Sequence, residues 1–246
     1  MRIDLLTLFP EFFTSPLGQS MLQKAQAQGA VAIRVINLRD YTQGRHQVAD
    51  DRPFGGGPGM VLKVEPLARA IRAAREEDPE VRVILLSPGG VLFNQEKARE
   101  LAGLKHLLLV CGHYEGVDER VRFYIDEELS IGDYILTGGE IPALTVVDAV
   151  VRLLPGVLGG EGATEEESFH TGLLEYPHYT RPRVFEGREA PQTLLEGDHQ
   201  AIARWRRQQA LSRTAARRPD LLARAVLTDE DRQWLKSLAE APGKDR

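Results

Sequence analysis

An α/β fold with a mostly parallel sheet, followed by a smaller and mainly helical region, is what this sequence predicts, on three observations. Short apolar runs alternate with helical spacing through the first 155 residues, a stretch rich in glycine and acid interrupts the pattern near residue 160, and the remainder of the chain reads as helix. Apolar residues make up 42% and charged residues 27% of the 246, so a core of ordinary size is available. No apolar run approaches the roughly 20 residues that span a bilayer.

Residues 3–9, 31–37, 81–87 and 107–111 are apolar runs of the kind buried on both faces of a parallel sheet. The first of these has the apolar look of a leader peptide. Asp4 interrupts it, however, and no small-residue cleavage site lies behind it, so it is expected to be the first strand, with a cytoplasmic location. Cys111, the one cysteine, has no intrachain partner, in keeping with a reducing compartment. Residues 10–28, 64–77, 94–101 and 142–154 have helical spacing, with Pro142 suited to a first turn and Pro155-Gly156 to a stop. The glycine- and glutamate-rich stretch next in the chain favours a flexible linker at 161–172, between domains at 1–160 and 173–246. Beyond it, 199–217, 219–226 and 229–239 read as helices, with Thr228 as N-cap ahead of Asp229-Glu230-Asp231.

The net charge of −5 is unevenly spread. Residues 1–170 hold 17 basic and 25 acidic side chains, whereas 171–246 hold 14 and 11. Within the second part Arg204, Arg206, Arg207, Arg213, Arg217 and Arg218 occur with no acid among them. At about 100° per residue, Arg206, Arg213 and Arg217 form one helical stripe and Arg204, Arg207 and Arg218 another, a pattern suited to two phosphate strands or to a solvated surface.

Several familiar site patterns are absent: the P-loop, G-x-G-x-x-G, H-E-x-x-H, paired C-x-x-C and G-x-S-x-G. There remains turn chemistry after strands, where open α/β sheets bind ligands. Ser87-Pro88-Gly89-Gly90, residues 112–116 (Gly-His-Tyr-Glu-Gly) and residues 130–140 are three such places, with Tyr114 and Tyr134 offering faces for a purine. A fourth segment, Asp50-Asp51-Arg52-Pro53-Phe54-Gly55-Gly56-Gly57-Pro58-Gly59-Met60, is too long for a tight turn and suits backbone approach to a large substrate, or else a flexible connection.

These strings, with Val110-Cys111-Gly112-His113-Tyr114-Glu115-Gly116-Val117-Asp118-Glu119-Arg120 and Pro177-His178-Tyr179-Thr180-Arg181-Pro182, resemble in order and spacing the bacterial tRNA (guanine-N1)-methyltransferases of the SPOUT class. The resemblance covers nearly the whole chain. It implies an open parallel sheet with a deep trefoil knot, a small helical C-terminal domain that binds tRNA, and a homodimer whose active sites lie at the subunit interface. It implies S-adenosylmethionine as methyl donor, with Mg²⁺ associated with the activity and no metal residues assignable from spacing. The cofactor site it implies comprises Leu85, Leu86, Ser87, Pro88 and Gly89; Gly112, Tyr114, Glu115 and Gly116; Ser130, Ile131, Gly132, Asp133, Tyr134, Ile135, Leu136, Gly138 and Gly139; and Pro142. His46 and Asp50 are expected near the target base.

Guanine N1 carries a proton at neutral pH, so methylation there requires a base, an aligned donor and positive charge near O6. Arg152 is the candidate for O6, its bland alternative being a solvated arginine at a helix end. The family has an aspartate just before Ser-Phe; here Glu167 stands there, with Glu165 and Glu166 as alternatives, so the carboxylate is one methylene longer. The rival expectations are a SPOUT enzyme acting on a ribose 2′-hydroxyl and a non-catalytic RNA-binding protein.

Overall fold

The computed structural model of the chain describes residues 1–159 and 167–240. The chain divides into two compact units, Met1–Gly159 and Gly160–Arg246. In the first, five strands, β1 (Arg2–Thr7), β2 (Ala32–Asn37), β3 (Arg82–Leu92), β4 (His106–Cys111) and β5 (Glu127–Ser130), lie in the order β2-β1-β4-β3-β5, every neighbouring pair parallel.

Successive side chains of a strand point to opposite faces, and the core obeys that rule. Leu107, Leu109 and Cys111 join Ile3, Leu5, Ile84 and Leu86 on one face. There they pack against helices α1 (Ser20–Ala27), α3 (Gln95–Ala102) and α4 (Glu140–Val151). On the other face Leu108 and Val110 join Leu6, Val83 and Leu85 under α2 (Val64–Glu77). Burial on both faces is why these strands read as unbroken apolar runs, each large side chain contributing about 1.5–3 kcal/mol.

Asp4 breaks the run yet is fully buried. Its carboxylate accepts hydrogen bonds from Arg2 (3.1 and 2.9 Å) and Arg34 (3.2 and 2.7 Å), and lies 3.1 Å from His106 Nε2. Burial pushes the Asp4 carboxyl up, but the hydrogen bonds from Arg2, Arg34 and His106 together hold it below its ordinary value. Glu77, hydrogen-bonded first by Arg2 and then by Arg34, is held down to about 2. A carboxyl depressed in the folded state stabilises it above the unfolded pKa near 4 and loses that contribution as pH falls. Asp4→Asn is therefore expected to cost about 3–5 kcal/mol by urea unfolding at pH 7. The gap to the wild type should narrow below about pH 4, and a gap that stays constant into acid would contradict this account.

Four differences from the sequence reading have physical causes. The expected helix at 10–28 is broken into a 3-10 turn (Pro10–Phe13), a short helix (Thr14–Leu17) and α1, the chain redirecting at Ser20, where φ is +49°. β3 runs on through Ser87-Pro88-Gly89-Gly90, which is a bulge within the strand rather than a turn after it; Leu129 pairs with both Leu86 and Val91. Gly90 permits this, since a Cβ there would lie 2.5 Å from the backbone of Glu128 and Leu129. β5 was not expected at all. Finally, α4 starts at Glu140 and ends at Val151, so Pro142 is its third residue and Arg152 its C-cap.

In the second unit α5 (His199–Arg217) is capped by Asp198, which accepts from the Gln200 and Ala201 amides, and α6 spans Asp229–Glu240. Thr228 Oγ1 accepts from the Asp231 amide and Asp231 Oδ2 from the Thr228 amide, a reciprocal cap. Leu173, Ala210 and Leu211 form the centre of a small core completed by Leu222, Leu227, Trp234 and Leu235. A two-stranded hairpin, Val184–Phe185 with Arg188–Glu189, adds strand to the expected helices. Within the stretch expected to be a flexible linker, residues 167–172 make turns: the Phe169 amide donates to the Leu173 carbonyl at 2.8 Å and the Glu175 amide to Ser168 Oγ at 3.0 Å.

Candidate active site

The carboxyl ends of β4 and β5 and the bulge of β3 open on one cleft of about 430 Å³, within the range of small-ligand sites. The three segments meet here because β4, β3 and β5 are parallel neighbours, so that the loops after β4 and β5 leave at one edge with the β3 bulge between them. Every residue expected at a cofactor site lines it except Gly89, in the β3 bulge, and Asp133.

Backbone contacts lace the segments together. Gly139 donates to the Gly112 carbonyl at 2.8 Å, and His113 and Gly138 form an antiparallel bridge. A Cβ on Gly139 would lie 2.6 Å from Cys111 Cα and one on Gly138 2.5 Å from His113 Nδ1, so glycine is required for close approach. At the turn, Gly116 donates to the His113 carbonyl at 3.0 Å, and Tyr114 takes a positive φ of +59° that leaves its ring at the cleft. That ring meets His113 edge-on at 4.6 Å, and His113 in turn tilts against Phe9 at 4.7 Å, forming an aromatic wall. Tyr134 donates its hydroxyl to the Ile131 carbonyl at 3.1 Å, bracing the third segment.

Beneath this wall lies a buried carboxylate. Glu140 Oε1 accepts from Thr7 Oγ1 at 2.7 Å, and its Oε2 is 3.9 Å from His113 Nδ1. Cys111 is fully buried, and burial, with Glu140 adding to it, pushes its thiol well above the ordinary range, so it is no nucleophile. Sequence reasoning missed Val117, Glu119, Arg122 and Leu129 as lining residues. Arg122 bridges Glu119 (2.7 Å) and Glu128. Asp118, by contrast, caps the turn Glu119–Phe123, accepting from the Arg120 amide at 3.0 Å and from its guanidinium at 2.9 and 2.7 Å. The pairing of Asp118 with Arg120 is thus a structural cap.

The other candidates lie outside the cleft. Arg152 caps α4. Glu167 opens a turn in which its carbonyl accepts from the His170 amide at 3.1 Å; Glu165 and Glu166 lie outside the described residues. His46 is exposed, and Asp50 pairs with Leu62 at the base of the glycine-rich hairpin. Of the arginines, Arg204 and Arg217 are exposed and Arg213 half-buried. Arg207 is held by Asp231 at 3.0 and 2.7 Å, Arg206 lies over the Tyr176 ring at 4.8 Å, and Arg218, just past the end of α5, is paired with Asp220. The two stripes are thus partly committed to internal contacts. Among the described residues no three His, Cys, Asp or Glu side chains are grouped to hold a metal, and no helix is long and apolar enough to cross a membrane.

Fold and site together define a class: an α/β protein with a nucleoside-sized cleft at the carboxyl edge of a parallel sheet, carrying in the same chain an arginine-bearing helical unit. Residues 1–224 match the family model described as tRNA (Guanine-1)-methyltransferase TrmD. The chain is 56% identical over 238 residues to the tRNA (guanine-N(1)-)-methyltransferase of Dictyoglomus turgidum, covering 97% of this chain and 96% of that one. It is 54% identical over 247 residues to that of Moorella thermoacetica (99% of each), and 55% identical over 237 to that of Geobacillus kaustophilus (96% and 97%). The chain belongs to the tRNA (guanine-1)-methyltransferase family.

Proposed function

We propose that this protein transfers the methyl group of S-adenosylmethionine to N1 of the guanine on the 3′ side of the tRNA anticodon, position 37. The observation that carries the reading is the convergence of the three glycine-bearing segments on one cleft at the sheet's carboxyl edge. Its volume suits an adenosine with a methionine tail, and its Tyr114 and Tyr134 offer apolar faces to a purine. The cofactor, when bound, supplies an electrophilic methyl group on sulfur. The protein's part is to align that methyl with guanine N1 and to handle one proton. Glu167 takes the N1 proton, and Arg152 donates to O6 as negative charge develops there. Mg²⁺ is associated with the activity, and among the described residues no three His, Cys, Asp or Glu side chains are grouped to hold it.

The proposal includes the deep trefoil knot, with the cleft segments forming its crossings, a methyltransferase domain over 1–160, a linker at 161–172, a tRNA-binding domain over 173–246, and action in the cytoplasm. It also includes the homodimer. α4 is apolar nearly all round, yet Ile141 is 48% exposed, and Ile135 (81%) and Phe12 (45%) are exposed as well; a second copy would bury such surface. Arg204, Arg213 and Arg217 contact tRNA phosphates. Three such contacts predict that tRNA affinity falls roughly 20- to 40-fold between 50 and 200 mM salt. A flat response in a filter-binding titration would remove this role.

Nucleoside analysis of tRNA after incubation with the cofactor tests the reading. It predicts 1-methylguanosine; a 2′-O-methylated nucleoside would reassign the chain to ribose methylation, and absence of cofactor binding would make it a non-catalytic RNA-binding protein.

A further inference from the structure

In the second unit the chain turns back on itself between Arg183 and Ala190. Glu186 and Gly187 both take positive φ (+48° and +76°), the backbone of a two-residue turn, and bring Phe185 opposite Arg188 and Val184 opposite Glu189. The Ala190 amide continues the ladder by donating to the Arg183 carbonyl at 2.9 Å. Side chains directly opposite in a hairpin share a face, and successive ones alternate. One face therefore carries Arg183, Phe185, Arg188 and Ala190, and the other Val184 and Glu189. Alternation has put both arginines with the aromatic ring and the Glu189 carboxylate on the far side. Every residue of 183–189 is exposed, Phe185 by 64%. The Arg183 guanidinium is held by Gln192 Oε1 at 2.6 Å, a neutral partner that leaves its charge in place.

A two-stranded ribbon with neither face packed is marginal by itself, and an uncovered ring beside guanidinium groups has the chemistry of a base-stacking platform next to a phosphate site. We propose that this hairpin is an RNA-contacting element separate from helix α5, in which the Phe185 ring stacks on an unpaired base of the bound tRNA and Arg188 pairs with a neighbouring phosphate. The ring is flanked on its face by positive charge and not by other large apolar side chains, which suits a nucleotide and not a second copy of the chain. The proposal rests on the function proposed above and adds to the three helix arginines a contact of a different kind.

Filter binding of the full chain to an unmodified tRNA transcript tests it. Phe185→Ala should weaken binding by about 5- to 150-fold. Phe185→Tyr keeps an aromatic face and should bind within about 2-fold of the wild type, whereas Phe185→Leu, apolar without such a face, should lose as much as the alanine variant. None of the three should alter affinity for a fully paired RNA duplex, which offers no unpaired base. Arg188→Ala acts through charge. With Arg188 as a fourth phosphate contact, wild-type affinity should fall roughly 50- to 150-fold between 50 and 200 mM salt, and that of the variant only roughly 20- to 40-fold. The proposal is overturned if Phe185→Ala or Phe185→Leu binds the transcript as the wild type does, if duplex affinity falls equally, or if Arg188→Ala keeps the wild-type salt response. It is overturned too if Phe185→Ala changes the sedimentation of the free protein, which would make this face a contact between copies. A wild-type chain that binds no tRNA transcript would instead overturn the function on which the proposal stands.

Discussion

Glu167→Gln is expected to lower single-turnover methyl transfer by about 10²- to 10⁴-fold while leaving cofactor affinity nearly unchanged. Glutamine keeps the shape of glutamate and loses its negative charge and its ability to take a proton. The turn it occupies is held by the Glu167 carbonyl and by Ser168 Oγ, neither of which the substitution alters. Loss of rate without loss of fold or cofactor binding is therefore the result that proton removal from guanine N1 by this carboxylate predicts. A near-normal rate would move the role of base to another carboxylate, with Glu165 and Glu166 the next to test.

Gly139→Ala is expected to weaken cofactor binding by about 100-fold. The added Cβ would stand 2.6 Å from Cys111 Cα and 2.9 Å from the Gly112 amide nitrogen, both backbone atoms at the end of a fully buried strand. Ordinary carbon contacts need about 3.5–4 Å, so the two segments must part by on the order of 1 Å. That parting breaks the bond from the Gly139 amide to the Gly112 carbonyl and widens the cleft, and a loss of about 2.7 kcal/mol of binding contacts there corresponds to two orders of magnitude in Kd. Gly139 has an ordinary negative φ of −81°, so the effect is one of contact and not of backbone strain. Calorimetric titration with S-adenosylhomocysteine checks it, and an unchanged Kd would show that the segments yield without cost.

How much of the fold and site was legible in the sequence depends on where each residue's partners lie. β4 is buried at every position and β1 at all but its first, so their apolar runs announced them, and α2 appeared at the expected bounds because its apolar face meets the sheet. β5 was invisible because half of it is Glu127 and Glu128, whose charges are met by Lys97 from α3 and Arg122 from a preceding turn. The β3 bulge looked like a turn because its glycine serves close strand approach. In the cleft the glycines were readable one segment at a time. Glu119 and Arg122 were not, since Arg122 and the Glu119 and Glu128 it bridges follow no evident site pattern. The arginine stripes were read from helical spacing alone, which does not show that Asp231 holds Arg207.

The central claim, methyl transfer to guanine N1 3′ of the anticodon, is tested most directly with labelled S-adenosylmethionine and two unmodified transcripts that differ only in carrying guanine or adenine there. The account predicts label recovered as 1-methylguanosine from the first and none from the second. Equal labelling of both, or label on a ribose, would contradict it.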